Sequence, residues 1–301
     1  MKRTLIAFAV LALAACAAHS PTPDPAYRGE IEQWRSHRLE RLTADNGWLT
    51  LVGLDWLRPG VNRFGSAPDN DVTLSAPGVP PVAGTLEVTD DNTVTLHPAE
   101  GSGLTVNGQP ASEQVLATDA DGHPDVLGLG RLSFYVIARG DRLGVRVKDP
   151  DAEARRGFKG IQYFPIDPSY RVTATFEPYE TPRQVQVPTA IGTPASMLAP
   201  GLLHFTLKGE SLSLEPYLES PDAKELFIVF RDATSGETTY GGGRFLDAAV
   251  PGSDQTTVLD FNRAYNPPCA FTPYATCPLP TEENILSVAV EAGEKHEGGG
   301  H

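Results

Sequence analysis

The stretch Leu259–Pro280 packs five prolines and two cysteines into twenty-two residues, and it constrains the fold more than any other part of the chain. Proline fixes φ and removes a backbone donor, so no helix or central strand runs through such a segment. It must be a stiff, irregular loop, and polar groups held on a stiff loop lose little entropy when they engage a ligand. The remainder reads as a frame for it. With 29 glycines and 27 prolines breaking up short apolar runs, the chain is predicted to be mainly β, and 301 residues suffice for one large or two moderate units.

The N-terminus carries targeting chemistry. Met1-Lys2-Arg3 precedes an apolar run from Leu5 to Ala15, too short to span a bilayer, which ends in Leu13-Ala-Ala-Cys16. This string resembles the lipobox of bacterial lipoproteins, which implies a cleaved signal peptide at 1–15 and a lipidated Cys16 facing the periplasm. Residues 16–24 then form a tether of at most about 25 Å. Residues 1–15 contain two bases and no acid, so cleavage moves the formal charge from −14 to −16. A surface this acidic argues against nucleic acid as a partner and leaves membrane attachment to the lipid. The expected partner is a small molecule or another envelope protein.

Asp24-Pro25 is a helix-start signal, and Tyr27, Ile31, Trp34, Arg38, Leu39 and Leu42 follow at helical spacing, so a short N-terminal helix is expected. Trp48–Leu57 reads as a strand. Leu132–Ala138 and Leu143–Val147, flanking Gly140-Asp141, read as a hairpin. Further strands are expected at 158–165, 170–176, 185–187, 203–207, 212–214, 226–230 and 285–291. The Arg231–Asp247 segment reads as a hairpin turning at Ser235-Gly236. Gly241–Gly243 in its second arm would open a groove beside Tyr240, Arg244 and Asp247. The tail, 293–301, is polar and Gly-rich, with the composition of a disordered end.

Asn62–Leu74, Gly84–Val88 and Gly103–Gln109 resemble a forkhead-associated domain, a β-sandwich that reads phosphothreonine. The resemblance covers residues 60–140 and implies a β-sandwich there, which together with the N-terminal helix makes a unit of residues 25–150. It does not carry the activity, because the family's arginine, serine, histidine and asparagine positions hold Ser66, Pro80, Ala83 and Ser102. Without charge-assisted bonds a dianionic phosphate is not held. Asp260–Pro280, with Gly47–Leu54 and Tyr240–Asp247, resembles a bacterial family known only as domain of unknown function 1684. The resemblance spans nearly the whole mature chain and implies no established activity; the strand pattern itself predicts a second β-rich sandwich or barrel at 151–292.

Candidate binding groups around the loop are Tyr240, Arg244, Asn262, Arg263, Asn266 and Tyr274. Candidate catalytic groups are Asp260, Tyr265 and Arg244, an acid, a hydroxyl and an anion holder of the kind hydrolysis uses. Cys269 and Cys277, the two cysteines beyond Cys16, have a spacing that permits a disulfide, worth roughly 2–3 kcal/mol in an oxidising compartment. No pattern indicates a cofactor or a metal site. The leading expectation is a binding or structural module with a ligand groove near residues 240–277. The alternative is a hydrolase or other small-molecule enzyme using Arg244, Asp260, Tyr265 and the cysteine loop.

Overall fold

A computed structural model describes residues 22–220 and 222–296; Cys16 and the signal segment lie outside them. Asp24 caps the N-terminal helix, Pro25–Thr43, by accepting a hydrogen bond from the Ala26 amide at 2.8 Å, with Pro25 in the first turn where its missing donor costs nothing. Tyr27, Ile31, Arg38 and Leu42 form its buried stripe, while Leu39 remains exposed. Its 19 residues cover the whole span of the helical spacing expected from Tyr27 to Leu42. The chain then turns back at Gly47, where a Cβ would lie 2.5 Å from the Leu42 carbonyl oxygen. Only glycine allows that approach, and the turn seats Trp48 beside the helix end.

Two antiparallel-rich sheets make the first core. One has six strands, with Arg142–Lys148 between Leu51–Trp56 and Leu132–Arg139 and three short strands beyond. The other has five, centred on Gly60–Gly65, Gly84–Val88 and Val94–Pro98. Inward residues of both, including Phe64, Leu86, Leu96, Phe134, Val136 and Val145, pack into one cluster. Phe64 and Phe134 meet edge-on across it at 5.7 Å. The expected 132–147 hairpin is present, with Ala138 opposite Leu143.

A second core lies between a four-stranded sheet and a two-stranded one. The first has the order Glu210–Leu214, Ala195–Leu207, Arg171–Val187, Thr256–Asp260, and the second pairs Glu225–Phe230 with Arg244–Ala249. Leu203, Phe205, Leu226, Phe230, Leu246 and Phe261 fill it. A third cluster, holding Val187, Ala199, Tyr217, Val229, Phe245, Cys269 and Cys277, joins this half to the Pro-rich loop, and Trp48 packs against it.

Four local expectations are corrected. Residues 158–165 and 285–291 form no strands; Ile285 makes a single bridge to Arg231 and Tyr163 one to Glu294, with isolated backbone hydrogen bonds such as Phe164 to Gly293 and Ala233 to Val288 beside them. The Arg231–Asp247 segment does not turn at Ser235-Gly236 as one hairpin, because its strands are 225–230 and 244–249 and the residues between form a loop. Gly241–Gly243 therefore lie in a turn and not in a strand interior. Gly243 has φ +93°, and its Cβ would meet the Phe230 carbonyl oxygen at 2.6 Å, so the glycine serves a close backbone approach and opens no groove. The fourth concerns the tail, where residues 293–296 are ordered. Arg38 Nε pairs with the fully buried Glu294 at 2.8 Å, and the other Glu294 oxygen accepts from the Asn266 amide at 2.8 Å.

Candidate functional site

Most of the polar groups on the Pro-rich loop are bound inside the protein. Arg244 is 0 % exposed, pairs with Asp232 at 2.8 Å and donates to the carbonyls of Val290 and Ala292. Burial lowers its pKa, and Asp232 opposes that shift. The guanidinium staples the C-terminal segment to the two-stranded sheet and faces no groove, which corrects its expected anion-holding role. Asp260 caps the turn that follows it, and its two oxygens share the hydrogen of the Tyr27 hydroxyl, at 2.9 and 3.1 Å. Asn262 donates to Tyr27, to the Asp167 carbonyl and to Asp260. This network fastens the helix to the second core, and burial drives the Tyr27 pKa upward, with Asp260 adding to the shift. Asn266 donates to the Lys295 carbonyl. Asp260, Asn262 and Asn266 therefore serve the fold, with no reacting group presented to solvent.

Tyr240 donates to the Cys269 carbonyl at 3.3 Å, and its ring lies 5.3 Å from that of His296. Tyr274 is half-buried, its amide bonded to Thr272. Arg263 reaches Glu30 at 3.5 Å and borders a small cavity with Trp34, His37, Arg41 and Asp247. Tyr265 is the one candidate catalytic group at a cavity wall. It approaches Asp247 at 3.4 Å, and both border a cavity of about 520 Å³ with Glu219, Glu225 and Phe227. Burial raises the Asp247 carboxyl, and Glu225 and Glu219 raise it further, although part of the side chain reaches solvent at the rim. Burial also holds the Tyr265 hydroxyl protonated, with Asp247 adding to the effect. The Tyr265 hydroxyl is therefore not poised as a nucleophile at neutral pH.

A cavity of about 710 Å³ opens where the two halves meet. Its apolar wall comes from Trp48, Met197, Phe227, Phe245 and Pro268, and its polar wall from Arg139, Arg146, Thr276 and Cys277. Phe227 and Phe245 are 4.8 Å apart and Phe245 and Tyr265 5.7 Å apart, so an aromatic row continues from this cavity into its neighbour. Thr276 Oγ1 accepts from Arg139 Nε at 2.9 Å and from Arg146 Nη2 at 3.3 Å. Cys269 and Cys277 lie side by side, both buried, as free thiols; the Cys269 amide donates to Cys277 Sγ at 3.2 Å. The hydrogen bond between the thiols lowers the Cys269 pKa and raises that of Cys277, with burial adding to the rise. Among the described residues no cluster has the make-up of a metal site.

In the first sandwich the Ser66 hydroxyl donates to the Val79 carbonyl at 2.9 Å. It is committed to its own loop, and the two arginines that most closely precede it in the chain, Arg58 and Arg63, pair with Asp71 and Asp69.

Nothing in the sequence marks Arg139, Arg146, Trp48 or Thr276 as site residues. Arg146 sits in a strand whose alternate residues, Val145 and Val147, face the sandwich core, so the pattern places it on the solvent side. No local signal shows that a second half covers it.

Fold and cavity together define a mainly β protein with two packed halves and a small-molecule-sized cleft between them. Residues 156–295 match the family model described as Protein of unknown function (DUF1684), and through this segment the chain belongs to that family. An uncharacterized protein of Haloarcula marismortui, solved by solution NMR, is 39% identical over 47% of this chain and 78% of its own, with a TM-score of 0.41. The FhaA FHA domain, solved in complex with the intracellular domain of another protein, is 25% identical over 32% of this chain and 97% of its own, with a TM-score of 0.23. An FHA domain from a study of phosphothreonine-dependent interactions is 27% identical over 33% of this chain and 96% of its own, also at 0.23. Among curated proteins none matches the chain.

Proposed function

We propose that the protein is a lipid-anchored module of the bacterial envelope that binds a small molecule in the cleft between its two halves. The cavity itself carries the reading. At about 710 Å³ it falls in the range of pockets that bury most of a drug-sized ligand, and it combines an apolar, aromatic wall with a few convergent polar groups. It draws its walls from both halves, so ligand binding would couple them. It also borders the 240–277 region through Phe245, Pro268, Thr276 and Cys277. A thermal-shift screen of small molecules on the wild type and on Met197→Trp, which fills the cavity, tests this. Stabilising compounds that lose their effect in the variant are expected; compounds acting equally on both would refute the cleft.

The anchor and the cysteine pair belong to the same reading. Cys16→Ser should move the protein from the membrane to the soluble fraction, and unchanged fractionation would remove the lipid anchor. In the oxidising envelope Cys269 and Cys277, adjacent in the fold, would form a disulfide that stiffens the cavity wall. Peptide mapping without reductant should recover them linked, whereas two free thiols would discard the bond.

A further inference from the structure

The charge balance of the cavity wall narrows the class of ligand, and this step rests on the cleft reading above. Arg146 is 3 % exposed and borders the cavity. Among the described residues it has no carboxylate partner. Its hydrogen bonds, to Tyr135 at 3.4 Å and to Thr276 at 3.3 Å, lie beyond the usual N–H···O range, and its Nε is buried with no partner in the protein. The Trp48 ring, 5.2 Å away, compensates part of the charge. Arg139 shares the Thr276 hydroxyl and pairs with Asp119 at 2.8 Å. Lys148 lies two residues further along the same strand, its pKa lowered by burial and then by Arg146.

Two guanidiniums thus converge on one hydroxyl with a single carboxylate between them. Asp119 balances Arg139, so the charge left uncompensated in this wall is that of Arg146. A buried cation without a counter-ion is costly, and folding alone does not call for it, since an apolar residue of similar volume would be no worse there. Glu219 also borders the cavity but makes no ion pair with either arginine.

We infer that the cavity binds an anionic amphiphile. A carboxylate or phosphate monoester head meets Arg146 beside Arg139, and an apolar body lies along Met197, Phe227 and Phe245. Arg146 supplies the fork that matches either head, and Thr276 holds the two arginines in register.

The test is a calorimetric titration of the full chain with decanoate, decyl phosphate and decanol, each below its aggregation concentration. At least one of the two anions should saturate one site, with decanol ten-fold weaker or worse. Comparison of the two anions tells which head the site prefers. Arg146→Gln should reduce anion binding to the decanol level, and Arg146→Lys should restore part of it. Arg146→Gln should also melt no lower than the wild type, because it removes an uncompensated buried charge; a purely structural arginine would give a fall. Decanol binding as tightly as the anions, or anion binding unchanged in Arg146→Gln, would overturn the anion assignment and leave the cleft standing. No binding of any probe would also overturn it, while the Met197→Trp comparison decides separately whether the cleft takes a ligand.

Discussion

Replacing Arg244 by methionine separates a structural staple from a binding group, because the two roles predict opposite costs. The side chain is fully buried, so methionine fills most of its volume and the change falls mainly on polar groups. It leaves Asp232 without its cation and the carbonyls of Val290 and Ala292 without their donor. Removing one partner of a buried ion pair costs about 3–5 kcal/mol. Asp232 keeps hydrogen bonds from the Thr234 amide and hydroxyl and the Val290 amide, which favours the lower end, while the two carbonyls push upward. A loss of roughly 3–5 kcal/mol is a large share of the ~5–15 kcal/mol that holds a domain together. Urea unfolding followed by tryptophan fluorescence reads it as a shift in midpoint at constant slope. The double variant Arg244→Met, Asp232→Leu should recover most of the loss, since an apolar pair does not leave a stranded charge. A loss below about 1 kcal/mol in the single variant would place Arg244 among ordinary surface substitutions and refute the staple.

Tyr27→Phe removes the hydroxyl that joins the helix to Asp260 and Asn262, and should lower stability by about 1–3 kcal/mol in the same assay; no change would detach the helix from the network. Asp247→Asn tests the raised carboxyl at the smaller cavity. A raised folded pKa means the native state holds its proton more tightly than the unfolded chain. Its contribution is therefore greatest below the ordinary carboxylate range and is lost as pH rises through the folded pKa. The variant should melt above wild type at neutral pH, with the gap closing as pH falls below that range; a gap that widens on acidification would reverse the sign and the argument.

The parts of the fold written in local chemistry are legible in the sequence. Asp24-Pro25 sets the helix start, Gly140-Asp141 sets a hairpin, and the Pro-rich loop marks the neighbourhood of the main cavity. The parts that are not legible depend on long-range packing. The run Ile285–Glu291 has a strand's composition, but its ties to the 231–244 segment are one bridge at Ile285 and scattered hydrogen bonds at Leu286, Val288 and Val290, and its backbone stays irregular. Glu294 lies in a tail of disordered composition yet is ordered by Arg38, more than 250 residues earlier. The loop's charged and amide groups look available because sequence does not show that Tyr27, Asp232 and Glu294 occupy them. Arg146 is hidden for the converse reason, since its strand reads as solvent-facing until the second half covers it.

The chain's three tryptophans give the most direct test of the cleft. Trp48 borders the main cavity, Trp34 the smaller one beside Arg263, and Trp56 lies under Arg142 and lines neither. In a heteronuclear NMR titration of the ¹⁵N-labelled protein with a stabilising compound, the indole N–H of Trp48 should shift saturably while that of Trp56 stays fixed. A compound that raises the melting temperature yet leaves Trp48 unmoved would contradict a ligand site between the two halves.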